Sequence, residues 1–186
     1  MPPFDSALSD AIGDGSLHPG FTYDEIGWIA DLAPSIALRR GIDPVGLAGG
    51  VILTDAHRDA EPLWRLSRHR LLTAPARALL GGEVVVATTL LCLDVAFPAH
   101  IVVPGAVLAT VHLDRRASPT APGALHGRFG QVAVRRLSED AAAEGPGRSF
   151  RVIYAAAADC ARWPHARPAE PIGDADLWPA AHLAFG

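Results

Sequence analysis

His100 stands beside a Pro104-Gly105 turn, between one apolar run that ends near Phe97 and another that starts at Ala106. A histidine titrates near neutral pH and can serve there as a general base. Amides at the start of a helix after the turn would polarise a carbonyl, which makes Gly105 the electrophilic support. Read without chemistry, His100 is a turn histidine bonded to backbone. Asp55, His57 and Asp59 alternate, and on an extended segment they would share one face, as metal ligands do. A catalytic ion needs a further partner and an outer layer of hydrogen bonds, so a solvated loop is the reading taken and no metal is expected. Cys160 has a cation two residues on at Arg162, which favours thiolate, and an opposing carboxylate at Asp159, so it reads as a buried strand cysteine. Ser67 and His69 lie in no GxSxG turn, and no hydrolase triad is supported.

What is missing narrows the chemistry further. All 16 lysine-plus-arginine positions are arginine, and the chain has no lysine or asparagine. Schiff-base catalysis, a pyridoxal-binding lysine and a lysine-bearing phosphate loop are therefore excluded. The net charge is -4, and the pairs Arg39-Arg40, Arg115-Arg116 and Arg135-Arg136 are scattered. Without a basic stripe no nucleic-acid partner is expected. The longest apolar stretch, Val84 to Leu93, is broken by Thr88 and Thr89 and is about half a bilayer span, so no membrane passage is expected. The N-terminus has no basic region followed by an apolar one, and a cytoplasmic location follows as the expectation. Cys92 and Cys160 lack CxxC spacing and read as free thiols, with a pairing between them left open.

The elements that must position these residues begin at Thr22. Thr22 and Glu25 have capping-box spacing, and the pattern predicts a helix from Tyr23 to Leu32 and a second from Ser35 to Arg40, separated by Pro34. Val51 to Thr54 reads as a short strand, Asp55 to Arg70 as a polar segment that permits a helix, and Leu71 to Leu80 as a helix ended by Gly81-Gly82. Glu83 to Leu93 is the best-marked strand, apolar enough for burial on both faces. Ala106 to Arg115 reads as helix in preference to strand. Gln131 to Leu137 and Ser149 to Cys160 read as strands. At 186 residues the chain fits one domain, 1–186, helical to about residue 80 and sheet-rich from about residue 81. The order suits an α+β fold with an antiparallel sheet packed on or around helices.

Phe97-Pro98-Ala99-His100-Ile101-Val102-Val103-Pro104-Gly105-Ala106-Val107-Leu108 resembles a segment of the hot-dog-fold hydroxyacyl thioester dehydratases. The resemblance implies a sheet wrapped around a central helix that begins at Pro104-Gly105, and a homodimer. It also implies a dehydratase or thioesterase acting on an acyl thioester, free or bound to a carrier protein, with no cofactor. Ala96 stands where that family has a histidine, and a shifted alignment gives the catalytic role to His100. Asp114 would be the acidic partner and the Gly105 amide would polarise the thioester carbonyl.

A longer, looser resemblance is to chorismate lyases and their ligand-sensing relatives. It rests on Trp28, Ser35, Arg39, Leu90-Leu91-Cys92, Ala99 to Pro104, Pro122-Gly123, Arg128-Phe129 and Arg148-Ser149-Phe150. It implies release of pyruvate from chorismate, with Arg70, Arg128 and Arg148 as the cations of a carboxylate-binding cavity. That family's arginine before the Leu-Leu strand falls at about Ala87 and its glutamate at about Cys160. A small-ligand-binding domain without catalysis is the remaining expectation.

Overall fold

The computed structural model of the chain describes residues 18–43, 50–97, 103–114, 129–137 and 144–173. Among them the strands are β1 (Val51–Thr54), β2 (Val84–Phe97), β3 (Ala106–His112), β4 (Val132–Arg136), β5 (Glu144–Ala156) and β6 (Arg167–Pro168). They form one sheet in the order β1-β2-β5-β3-β4, with β6 alongside β2. Every pairing is antiparallel.

Strand side chains alternate between faces, and the alternation divides the core in two. On one face Val107, Ala109 and Val111 of β3 join Phe150, Val152 and Tyr154 of β5. Against them pack helices α1 (Tyr23–Ile26), α2 (Trp28–Arg39), α3 (Glu61–Ser67) and α4 (Arg70–Leu80), through Ile26, Ile36, Leu63, Leu66 and Leu72. The other face carries a smaller apolar group of Val85, Leu90, Leu108, Ile153 and Ala155, partly covered by Val103 and Trp163. The α+β class and the antiparallel sheet packed on helices are as expected.

Local chemistry explains most boundaries. The Glu25 carboxylate accepts from the Thr22 amide at 2.6 Å and from its hydroxyl at 2.9 Å, which starts α1 at Tyr23. α4 ends where Gly81 turns left-handed, with φ 77°. Pro34, expected to end the first helix, instead lies inside α2. An interior proline costs about 3 kcal/mol. Ile29 and Ala33 before it and Ile36 and Ala37 after it are all fully buried, and that burial holds the helix together across the missing hydrogen bond.

The segment from Ala106 is the main correction. It is strand β3, not a helix, and lies between β4 and β5 with all seven residues buried. An apolar run with no polar side cannot be assigned by periodicity. Val107, Thr110 and Val111 are β-branched and favour the strand. Pro104-Gly105 makes a tight turn into it, Gly105 having φ 79° and the Ala106 amide donating to the Val103 carbonyl at 3.1 Å. No central helix begins at Gly105, so the geometry that the hot-dog resemblance required is not met. Cys160 is also corrected: it is exposed, in a 3₁₀ segment (Ala157–Arg162), and both Cys92 and Cys160 are free thiols.

Candidate functional site

The sheet face away from the helices carries a compact polar group. Arg151 is 2% exposed, and Thr110, Ser149 and His112 are also buried. Arg151 lies opposite Thr110 of β3, and Ser149 lies opposite His112. On the other side the partners in β2 are Leu90 and Cys92. Directly opposed residues in an antiparallel pair stand about 5 Å apart and diagonal ones about 7–8 Å, so the four polar side chains make a two-by-two array. β5 builds it by alternation: Phe150, Val152 and Tyr154 enter the helix-side core, which turns Ser149 and Arg151 to the other face.

The array is held in register. The Arg151 Nε donates to the Ser149 Oγ at 2.9 Å, which fixes the plane of the guanidinium. The backbone of His112 is locked on β4's side: its amide donates to the Gln131 carbonyl at 3.0 Å, and its carbonyl accepts from the Gly130 amide at 2.8 Å. A buried guanidinium is costly unless it meets an anion or several acceptors, and its planar fork matches a carboxylate. On the same face, toward the other end of β5, lies a cavity of about 140 Å³. Gly105, Pro104, Ala155, Asp159, Arg162 and Trp163 line it. Ligand pockets usually measure about 300–1,000 Å³, so this one takes a fragment and not a bulky molecule.

The sequence-based candidates are dispersed. Asp114 Oδ2 accepts from the Arg148 amide at 2.8 Å, a contact to backbone beside β5. The Arg148 guanidinium bonds Asp94, Nη2 to Oδ2 at 2.8 Å, and this hydrogen bonding raises its pKa above the usual arginine range. Arg70 is exposed at the start of α4, where its amide donates to the Ile172 carbonyl at 3.1 Å. Gly105 lines the small cavity. His100 and Arg128 lie outside the described residues. Arg151 and Thr110 were not among the sequence-based candidates. The signal for Arg151 was its alternation with Ser149 against Phe150 and Val152 in an apolar strand.

Asp55, His57 and Asp59 do not converge. His57 Nδ1 lies 2.9 Å from Thr89 Oγ1, Asp55 Oδ1 accepts from Thr88 Oγ1 at 2.8 Å, and Asp59 pairs with Arg40. Burial, the largest influence, lowers the His57 pKa; Arg167 and Arg58 lower it too, while Asp55 and Asp59 act the other way.

No family model matches the chain, and no curated protein matches its sequence. Solved structures do. The non-heme alpha ketoglutarate dependent epimerase SnoN from nogalamycin biosynthesis is similar at 16% identity, over 82% of this chain and 84% of that one, with a TM-score of 0.56. EctD from S. alaskensis in its apoform is similar at 14% identity, over 83% and 78%, with a TM-score of 0.56. SnoN in complex with Fe3+, alpha ketoglutarate and nogalamycin RO gives 16% identity, 82% and 85%, and a TM-score of 0.51.

These neighbours are enzymes of the cupin, or double-stranded β-helix, fold. At such identities the likeness is one of fold. It overturns both expected families, since the neighbours are neither hot-dog dehydratases nor chorismate lyases. The activities drawn from those families fall with them: thioester dehydration or hydrolysis, pyruvate release from chorismate, and the ligand-binding domain without catalysis. An iron ion, present in one neighbour, finds no fitting donor set among the described residues. Among the described residues no three His, Cys, Asp or Glu side chains are grouped to hold a metal, and His57, Asp55 and Asp59 turn to separate partners.

Proposed function

We propose that the chain is an enzyme that grips a small 2-oxo acid by its carboxylate and moves a proton at the carbon beside the ketone. The observation that carries this reading is the buried Arg151, planar-locked by Ser149 and set diagonally from His112. The Arg151 fork would receive the carboxylate, the Thr110 hydroxyl would bond the ketone oxygen, and the His112 imidazole would accept the proton. The C–H bond breaks, its proton passes to the imidazole and its electron pair forms the C=C bond of an enolate whose oxygen the Thr110 hydroxyl holds; the proton then returns from the imidazole to carbon. No oxidant is consumed. SnoN's description as alpha ketoglutarate dependent supplies the choice of probe and nothing more.

The test is calorimetric binding of 2-oxoglutarate and pyruvate, with proton exchange at C3 followed by NMR in deuterated water. Charge-assisted hydrogen bonds are worth about 1.5–3 kcal/mol, so Arg151→Lys should weaken binding about 10–100-fold with an unchanged circular dichroism spectrum. His112→Gln should still bind and should lose exchange. Equal binding by Arg151→Lys and the parent chain, or no binding of either acid, would sink the proposal.

A further inference from the structure

On the helix side of the sheet, Trp64 of α3 is the meeting point of three cationic or ionisable side chains from three elements. The Arg167 guanidinium of β6 lies 4.0 Å from the indole centroid, and that of Arg68, at the end of α3, lies 5.1 Å from it. The His57 ring, in a 3₁₀ turn (Ala56–Arg58), lies 5.6 Å away. The two guanidinium carbons are therefore within about a Debye length of each other, and like charges so placed repel. Among the described residues neither arginine has a carboxylate partner.

His57 is 3% exposed, its Nε2 is buried, and among the described residues that atom meets no acceptor. Thr89 Oγ1 accepts from the His57 amide at 3.1 Å, which leaves the hydroxyl's own proton for Nδ1 at 2.9 Å. With the hydroxyl donating to Nδ1, the ring proton sits on Nε2, which is then a donor. Arg68 Nε is likewise buried without an acceptor among the described residues. Buried donors of this kind are rare and call for an explanation. Two beside one indole, with a second guanidinium over the ring, need an acceptor that the described residues do not provide.

The place is a break in the sheet edge. β1 covers β2 at Leu90 to Leu93 and β6 covers it at Val85 and Val86, so Ala87 to Thr89 lie between the two short strands. Asp55, Asp59 and Arg58 also act on His57, but Asp55 and Asp59 are already engaged with Thr88 and Arg40. Arg167 is exposed, so the cluster opens to solvent on its side. Donors arriving from three elements suit a tetrahedral oxyanion better than a planar carboxylate, which takes a single fork.

We infer that Arg68, Arg167 and the His57 Nε2, gathered around Trp64, form a binding site for a phosphate group. It lies on the opposite face from Arg151, so it stands or falls independently of the proposed oxo-acid site. The test titrates the full chain with inorganic phosphate, glycerol phosphate and acetate at constant ionic strength, read by calorimetry and tryptophan fluorescence. Saturable phosphate binding, a fluorescence change lost in Trp64→Phe, and an affinity reduced at least tenfold in Arg167→Ala are expected. Arg167 is exposed on a two-residue strand, so that variant keeps the fold, and Arg68→Ala gives an independent second reading. Tighter binding of glycerol phosphate would make a phosphomonoester the ligand; equal binding would make it free phosphate. No saturable response, equal binding of acetate, or unchanged affinity in both arginine variants would overturn the inference.

Discussion

Tyr154 is fully buried, and its hydroxyl donates to the Ser67 carbonyl at 2.5 Å, tying β5 to the end of α3. Burial pushes its pKa well above the usual tyrosine range. The folded pKa is the raised one, so the stability that Tyr154 contributes is complete below about pH 10 and is lost as pH rises above that toward the folded value. The chain has two tyrosines, the other being the exposed Tyr23. In a spectrophotometric titration, the Tyr154 phenolate signal should emerge together with alkaline unfolding, and Tyr154→Phe should remove that component. The same variant orphans the Ser67 carbonyl and should lower stability by about 1–2 kcal/mol in urea unfolding. A phenolate signal from Tyr154 in the still folded chain would contradict this account. At this scale the sequence was least informative. Arg151 carries no spacing motif, and only the sheet register brings it beside His112, whereas the visible Arg148 turned out to be engaged with Asp94.

Elements were more legible. The capping box at Thr22, the strand near Val84 and the glycine stop after α4 were all readable, because each rests on chemistry within a few residues. β3 was not, because a run buried on both faces has the same pattern in either conformation and only its neighbours β4 and β5 decide it. Pro34 failed as a stop signal for a related reason: burial on both sides outweighs a local penalty. One junction between elements depends on a single glycine. Gly130 has φ 78°, and a Cβ there would stand 1.7 Å from the Phe21 carbonyl oxygen. Gly130→Ala must therefore break the bond in which the Phe21 amide donates to the Gly130 carbonyl at 2.8 Å. It should cost more than about 1 kcal/mol in thermal or urea unfolding, and hydrogen exchange should accelerate first at residues 18–21. Unaltered exchange there would show that the junction carries no stability.

For the molecule as a whole, the two faces of one sheet divide the labour. The helix face is an apolar core, and the polar array sits where the helices are absent, so substitutions at Arg151 can alter binding with little loss of the main core. Sequence supplied the class of this architecture but not its relatives, since a 14–16% likeness leaves almost no shared motif to read. Sheets of this kind end in bare backbone, and β4 is a terminal strand. His18 meets it there: the His18 amide donates to the Val132 carbonyl at 2.8 Å, and the Val132 amide donates back at 2.9 Å. An uncovered terminal strand templates pairing with another chain. Removing residues 1–20 should thus leave a protein that scatters light increasingly with concentration, while the full chain stays dispersed. A single reciprocal bridge at His18 would then act as a guard against runaway polymerisation, protecting solubility on the strand next to β3 and its polar array.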